Sequence, residues 1–218
     1  MSVFVMADPH LSLSTDKPMD KFGARWTDHA EKIRTRWCEV VAPEDTVVIP
    51  GDLSWGINLE QALPDLSFID ALPGKKILLK GNHDYWWDTV KKMTAFFDAH
   101  GITTMSFLHN NAVRCENFIL CGSRGWYTGD KKVVTANEVD AAKLIAREVG
   151  RLRTSLEGEV ACVSRSWRRR ALPWKCSFSS IFRRISEAIS ATRSFWSCTA
   201  LVLSAVISAT SMGCTTCR

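Results

Sequence analysis

None of the five histidines of this 218-residue chain lies beyond His109. From Gly158 onward aspartate and asparagine are missing too, and the only acidic residues are Glu159 and Glu187. A secretory leader is also lacking. Met1-Ser2 runs straight into Val3-Phe4-Val5-Met6, too short for an apolar leader core and without basic flanks. The expected compartment is therefore the cytoplasm, where the eight cysteines stay reduced. No internal repeat and no Gly/Ser linker divides the chain, so its length points to one domain able to bury a core. Cys214-x-x-Cys217 has no partner pair, which argues against a zinc site.

What is present falls into two unlike parts. Overall the chain is 46% hydrophobic and 23% charged, ordinary for a globular protein. Yet five of the eight cysteines (Cys162, Cys176, Cys198, Cys214 and Cys217) lie in the last part. That part carries nine basic residues against two acidic ones, a formal charge of +7 that leaves the preceding part at −2. The sequence pI of 8.8 thus belongs to the tail and says nothing about partners of the main body. The seam places one domain at residues 1–157 and an aberrant tail at residues 158–218.

Along the first part, apolar runs alternate with helical periodicity. Val3–Met6, Thr46–Ile49 and Lys76–Lys80 read as buried strands. Helices are expected over Asp28–Val41, Leu59–Ala71 (weakened by Pro64 and stopped at Pro73-Gly74) and Trp87–His100. Thr103–Phe107, Ala112–Cys115 and Phe118–Cys121 are short strands of hairpin type, and Asn137 to about Leu156 is an amphipathic helix. This alternation is an α/β pattern.

Each of the first three strands ends in a polar cluster: Asp8-Pro9-His10, Gly51-Asp52 and Gly81-Asn82-His83-Asp84. Open α/β sheets place ligand sites at such strand ends. Carboxylate, imidazole and amide oxygen suit a borderline to hard divalent ion such as Mn, Fe or Zn. One aspartate between two such groups can bridge two ions, and ions about 3.5–4 Å apart can grip both oxygens of a phosphoryl transfer. The glycines before Asp52 and Asn82 allow a sharp exit from the strand. Taken singly these signals are weak, because Asp-x-His and Gly-Asp after a strand are usually turns. Gly-Asn-His-Asp is stronger, since its last carboxylate could orient the histidine. The specific signal is all three in this order.

The set resembles the calcineurin-like metallophosphoesterase family, whose pattern is D-x-H, G-D, G-N-H-D/E, a lone His and then G-H-x-H. It is most similar to small bacterial members, through Gly51–Gly56 and Gly81–Trp87. The resemblance implies a four-layer α/β/β/α sandwich, two divalent metal ions and hydrolysis of a phosphate mono- or diester by a metal-bound hydroxide. It implies further that Asp8 and His10 bind the first metal, Asp52 bridges both and Asn82 binds the second. His83 would protonate the leaving group or hold the phosphate, and Asp84 would orient it. One departure is that many members have an arginine soon after Gly-Asp, whereas Leu53-Ser54-Trp55 follows here. Outside the motifs, His29 and His100 read as ordinary helix residues and His109 as a turn residue. Trp55, Trp86, Trp87 and Trp126 either wall a substrate pocket or pack the core.

The later histidine motifs of that family are absent from the chain as written, which leaves the expected sandwich incomplete. A shifted reading frame supplies them. If each codon starts on the third base of a written codon, Lys175–Ile189 can encode V-L-V-F-L-H-F-P-P-N-F-G-G-D. At the same offset Ser208–Gly213 can encode G-H-I-H-G, and the final glycine there is forced by the Met212 and Gly213 codons. The expectation is a frame change near codons 157–161 and a chain with weak metal binding and little activity. The competing reading is a non-enzymatic α/β remnant whose basic tail binds nucleic acid or membrane. It rests on Arg168-Arg169-Arg170 between Trp167 and Trp174, and on the apolar stretch Phe195–Gly213, which four serines interrupt.

Overall fold

The computed structural model describes residues 1–115, 118–124, 143, 146–158 and 203–205. Strands β1 (Val3–Val5), β2 (Thr46–Ile49), β3 (Lys75–Leu78) and β4 (Met105–Phe107) form one parallel sheet in that spatial order. Helices α1 (His29–Val40), α2 (Leu59–Asp70) and α3 (Val90–Ala99) make the crossovers. Neighbouring strands joined by right-handed crossovers place all three helices on the same face.

The sheet is covered on both sides, so its central strand is apolar without alternation. All four residues of β2 are buried. Successive side chains point to opposite faces. Val47 and Ile49 pack with Leu78, Phe107 and the helix residues Trp37, Leu66, Ile69, Met93 and Phe97. Val48 joins Ile77, Leu79, Leu108, Cys115 and Leu120 on the other side. There the hairpin β5 (Ala112–Cys115) and β6 (Phe118–Cys121) forms a second, antiparallel sheet. A third strand, β7 (Leu203–Ala205), comes from the tail and pairs antiparallel with β6, Cys121 opposite Leu203. Residues 146–158 are helical. This fourth helix is tied to the second sheet through Ser155, whose Oγ accepts from Gly122 N at 2.9 Å and donates to the Asn111 carbonyl at 2.5 Å. Helices, parallel sheet and second sheet thus stack as the α/β/β part of the expected sandwich.

Several boundaries differ from those expected, each for a physical reason. The helix expected from Trp87 begins at Val90, because Trp86 and Trp87 are buried in the core and Thr89 caps the helix by accepting Lys92 N. Strand β3 ends at Leu78 rather than Lys80, and β4 begins at Met105 rather than Thr103. Thr104 is instead held by Asp70, whose Oδ1 accepts its N–H at 2.9 Å and its hydroxyl at 2.6 Å. Helix α1 starts at His29 because Asp28 has a left-handed backbone, φ 52°. Pro64 is tolerated inside α2, where the helix turn that loses its hydrogen bond is the exposed one at Glu60. The expected helix Asn137–Leu156 is helical over its described part, and residues 137–142, 144 and 145 lie outside the described residues.

Among the described residues one lysine is completely buried. Lys76 Nζ donates to the Asp70 carbonyl at 3.1 Å, to Thr104 Oγ1 at 3.0 Å and to the Leu72 carbonyl. It thereby ties the C-terminal end of α2 to β3 and the start of β4. Burial pulls its pKa from the ordinary 10.5 down to about 8, against a smaller upward pull from Asp70. The folded protein therefore holds fewer protons here than the unfolded chain between those two values. This lysine's contribution to stability is fully present above pH 10.5 and is lost as pH falls through about 8. Urea denaturation at stepped pH should show stability gaining from Lys76 across that window, and Lys76→Met should remove that component of the slope.

Candidate metal centre

Beyond β1 and β2 the two chains keep running side by side after the strands end. Asp8 N donates to the Gly51 carbonyl at 3.3 Å, His10 N to Asp52 O at 2.9 Å and Leu11 N to Leu53 O at 2.8 Å. This zipper brings the Asp-Pro-His and Gly-Asp segments together. It also demands unusual backbone: Asp8, His10 and Asp52 all have positive φ, at 54°, 47° and 53°. Non-glycine residues seldom adopt that region, and strain of this kind concentrates at functional sites.

Two glycines let a third segment join. Gly51 has φ 142°, and a Cβ there would collide with the backbone of Gly81. A Cβ on Gly81 would in turn collide with Asp52. Asp84 then clamps the loops. Its Oδ2 accepts Asp52 N and Gly81 N, each at 2.8 Å, and its Oδ1 accepts Leu53 N at 2.9 Å and Trp86 Nε1 at 3.0 Å. Burial pushes this carboxyl's pKa up, while the backbone N–H donors pull it back. A protonated Asp84 would have no acceptor for its O–H among these four partners, so the anion is the form that fits. The orienting role expected for Asp84 thus falls on backbone at Asp52, Leu53 and Gly81, not on the His83 ring by a hydrogen bond. That ring's Nδ1 has no hydrogen-bond partner.

Asp8, His10 and Asp52 offer ligand atoms that all lie within 4.8 Å of one another. His83 stands against His10, ring centroids 5.7 Å apart, and donates its backbone N–H to Asp52 Oδ1 at 2.7 Å. Asn82 is exposed immediately before it. The polar bookkeeping is incomplete in a telling way. Asp52 Oδ2, His10 Nδ1 and His83 Nδ1 are buried without a hydrogen-bond partner. Such orphans cost about 1–3 kcal/mol each unless something fills the site. Burial first, then the neighbouring Asp52 carboxylate, pushes the Asp8 pKa up to about 6. Burial likewise lowers the pKa of His10. Crowded carboxylates and a neutral imidazole with free ring nitrogen fit a divalent cation.

Aromatic rings wall this cluster. Trp55 stacks on His10 at 5.0 Å and packs against His83 at 4.7 Å. Trp26 lies edge-on to His10, and Tyr85 to His83. Of the tryptophans named from sequence, Trp55 is a wall, Trp86 and Trp87 are core, and Trp126 lies outside the described residues. His29 reaches the His10 carbonyl at 3.3 Å from the start of α1. His100 is a helix-end residue whose ring bonds the Phe96 carbonyl. His109 is a turn residue, its N–H on Asn111 Oδ1 and its ring against Trp87. Lys17, whose Nζ lies 4.6 Å over the Trp55 ring, gave no sequence signal.

Two strand-end motifs thus bring together a carboxylate–imidazole group able to hold a metal ion, with His83 of the third packed against it. Residues 1–145 match the family model described as calcineurin-like phosphoesterase, and the chain belongs to that family. No curated protein matches. A solved structure, "The Crystal Structure of the Protein of Unknown Function AQ665 from Aquifex aeolicus", is similar at 20% identity over 67% of this chain and 71% of that one. Its TM-score of 0.40 is too low for it to carry an argument.

Two outcomes follow from this geometry. Gly81→Ala should unfold or displace the Asp52 loop, and Asp84→Asn should cost about 3 kcal/mol by turning an amide N–H toward bound donors. Urea denaturation of both variants measures this, and near-native stability for either would contradict the clamp. A proton on Asp8 competes with a cation. Mn2+ affinity measured by calorimetry should therefore fall as pH drops below about 6, by up to roughly tenfold per unit from that one site.

Proposed function

We propose that the parent of this chain hydrolyses phosphate mono- or diesters at a two-metal site, with Mn, Fe or Zn as the ions. The observation that carries the reading is the Asp8–His10–Asp52 cluster with its unpartnered buried atoms at the ends of adjacent parallel strands. Asp8 and His10 would hold the first ion, Asp52 would serve both, and Asn82 would serve the second. Asp52 suits a bridge because one oxygen is fixed by His83 N while the other is unpartnered. Bound there, the ions supply Lewis acidity and a water-derived nucleophile near neutral pH.

The protein's own groups do the rest. His83 holds the phosphate or delivers a proton to the leaving oxygen through a ring nitrogen, since its Nδ1 is not committed elsewhere. Asp84 keeps Asp52 in place through the backbone. Trp55 packs against both imidazoles and limits water around them. Among the described residues no helix is long and apolar enough to cross a membrane. A cytoplasmic location is part of the proposal.

The tail from about residue 158 is the same gene read out of frame, so the written chain lacks the histidines that complete both metal positions. Apart from β7 and the last residue of the fourth helix, it lies outside the described residues. The test compares this chain with a version carrying the restored frame, each with Mn2+ and bis(p-nitrophenyl) phosphate or p-nitrophenyl phosphate. The restored version should turn over substrate at least about a hundredfold faster, as expected when missing ligands are supplied. Asp52→Asn in it should abolish both activity and metal uptake. Equal, robust activity from the 218-residue chain would overturn the account of the tail. Inactivity of both would overturn the phosphoesterase reading.

A further inference from the structure

The loop between β1 and α1 presents one lysine beside the metal centre, and it is pinned on both sides. Before Lys17, Leu13 N donates to Asp65 Oδ1 at 2.8 Å, and Ser14 Oγ bonds the Gln61 carbonyl on α2. After it, Trp55 Nε1 donates to Met19 Sδ at 3.3 Å, and Met19 itself is buried. The same Asp65 accepts Ser54 Oγ at 2.5 Å, so the anchor of this loop is also the anchor of the segment that carries Trp55. Pro18, with φ −66°, stiffens the chain between lysine and methionine.

Between these anchors Lys17 is exposed, with its Nζ 4.6 Å from the Trp55 ring centroid. It makes no ion pair among the described residues. The indole it rests on packs against both His10 and His83. The ammonium and the two imidazoles thus share one indole, with the lysine at the edge of the cluster and not among its ligand atoms. A group on the substrate away from the reacting phosphorus would meet it there. A cation held by an aromatic ring keeps its solvent-facing donors free for an anion.

We propose that Lys17, seated on Trp55, is a specificity-determining residue that binds a second negative charge on the substrate. The favoured class is then phosphate esters that carry a further carboxylate or phosphate, not esters of uncharged alcohols. This inference rests on the phosphoesterase reading above. Lys17 acts on binding and not on the chemical step.

The test uses the frame-restored version loaded with Mn2+ and two phosphonates that cannot be hydrolysed, phenylphosphonate and 4-carboxyphenylphosphonate, titrated by calorimetry. The carboxy compound should bind roughly three- to fivefold more tightly, the scale of an exposed charge pair, and less so at high salt. Lys17→Met should erase that preference while leaving phenylphosphonate binding unchanged, and Lys17→Arg should retain it. Lys21→Met, on the same loop, should leave the preference intact and so exclude a net-charge effect. A preference that survives Lys17→Met, or that was never present in the parent chain, overturns the role of Lys17 while phosphonate binding upholds the metal site. Failure of both phosphonates to bind overturns the phosphoesterase reading, and this inference with it.

Discussion

The candidate site hangs on one buried carboxylate that is not itself placed to bind metal. Asp84 gathers four N–H groups from three segments: Asp52 and Leu53 after β2, Gly81 after β3, and the Trp86 indole. Charge-assisted bonds of this kind are about twice as strong as neutral ones. They hold together two glycine loops packed so closely that a Cβ on either glycine would collide with the other loop. Asp52 can present an unpartnered oxygen to a cation only because its backbone is fixed in this way.

That fixation has an electrostatic and conformational cost, borne by the same few residues. Three of them have left-handed backbones, and buried polar atoms stand without partners. Burial, together with the neighbouring Asp52 carboxylate, lifts the Asp8 pKa to about 6. A divalent cation bound there would offset the electrostatic part of this cost, by pairing with the orphaned oxygen and nitrogen and by screening the carboxylates from each other.

Much of this was legible in the sequence, and the reasons separate cleanly. Asp8, His10, Asp52 and His83 announced themselves because metal chemistry restricts residue type and spacing, and strand ends are easy to see in runs such as Thr46–Ile49. The parallel sheet and its helices followed from alternating apolar periodicities. Packing roles were not legible. Nothing local tells that Trp86 and Trp87 leave the helix to fill the core, or that Trp55 walls the site. Sequence spacing made Asp84 look like a partner for its neighbour His83, when its donors are Gly81 and Trp86 nearby and Asp52 and Leu53, which the fold brings to it. Lys17 and Lys76 drew no notice, because their partners lie on other elements. The strand at Leu203–Ala205, within a tail read as out of frame, pairs with β6 in a way that composition gave no reason to expect.

The central claim is that the Asp8–His10–Asp52 cluster is a divalent metal centre. It is tested most directly by anomalous X-ray scattering from crystals of the frame-restored version grown with Mn2+. The account predicts a strong anomalous peak among Asp8, His10 and Asp52, with any second peak on the side of Asp52 facing Asn82. Manganese bound elsewhere with this cluster empty, or no ordered manganese at all, would contradict it.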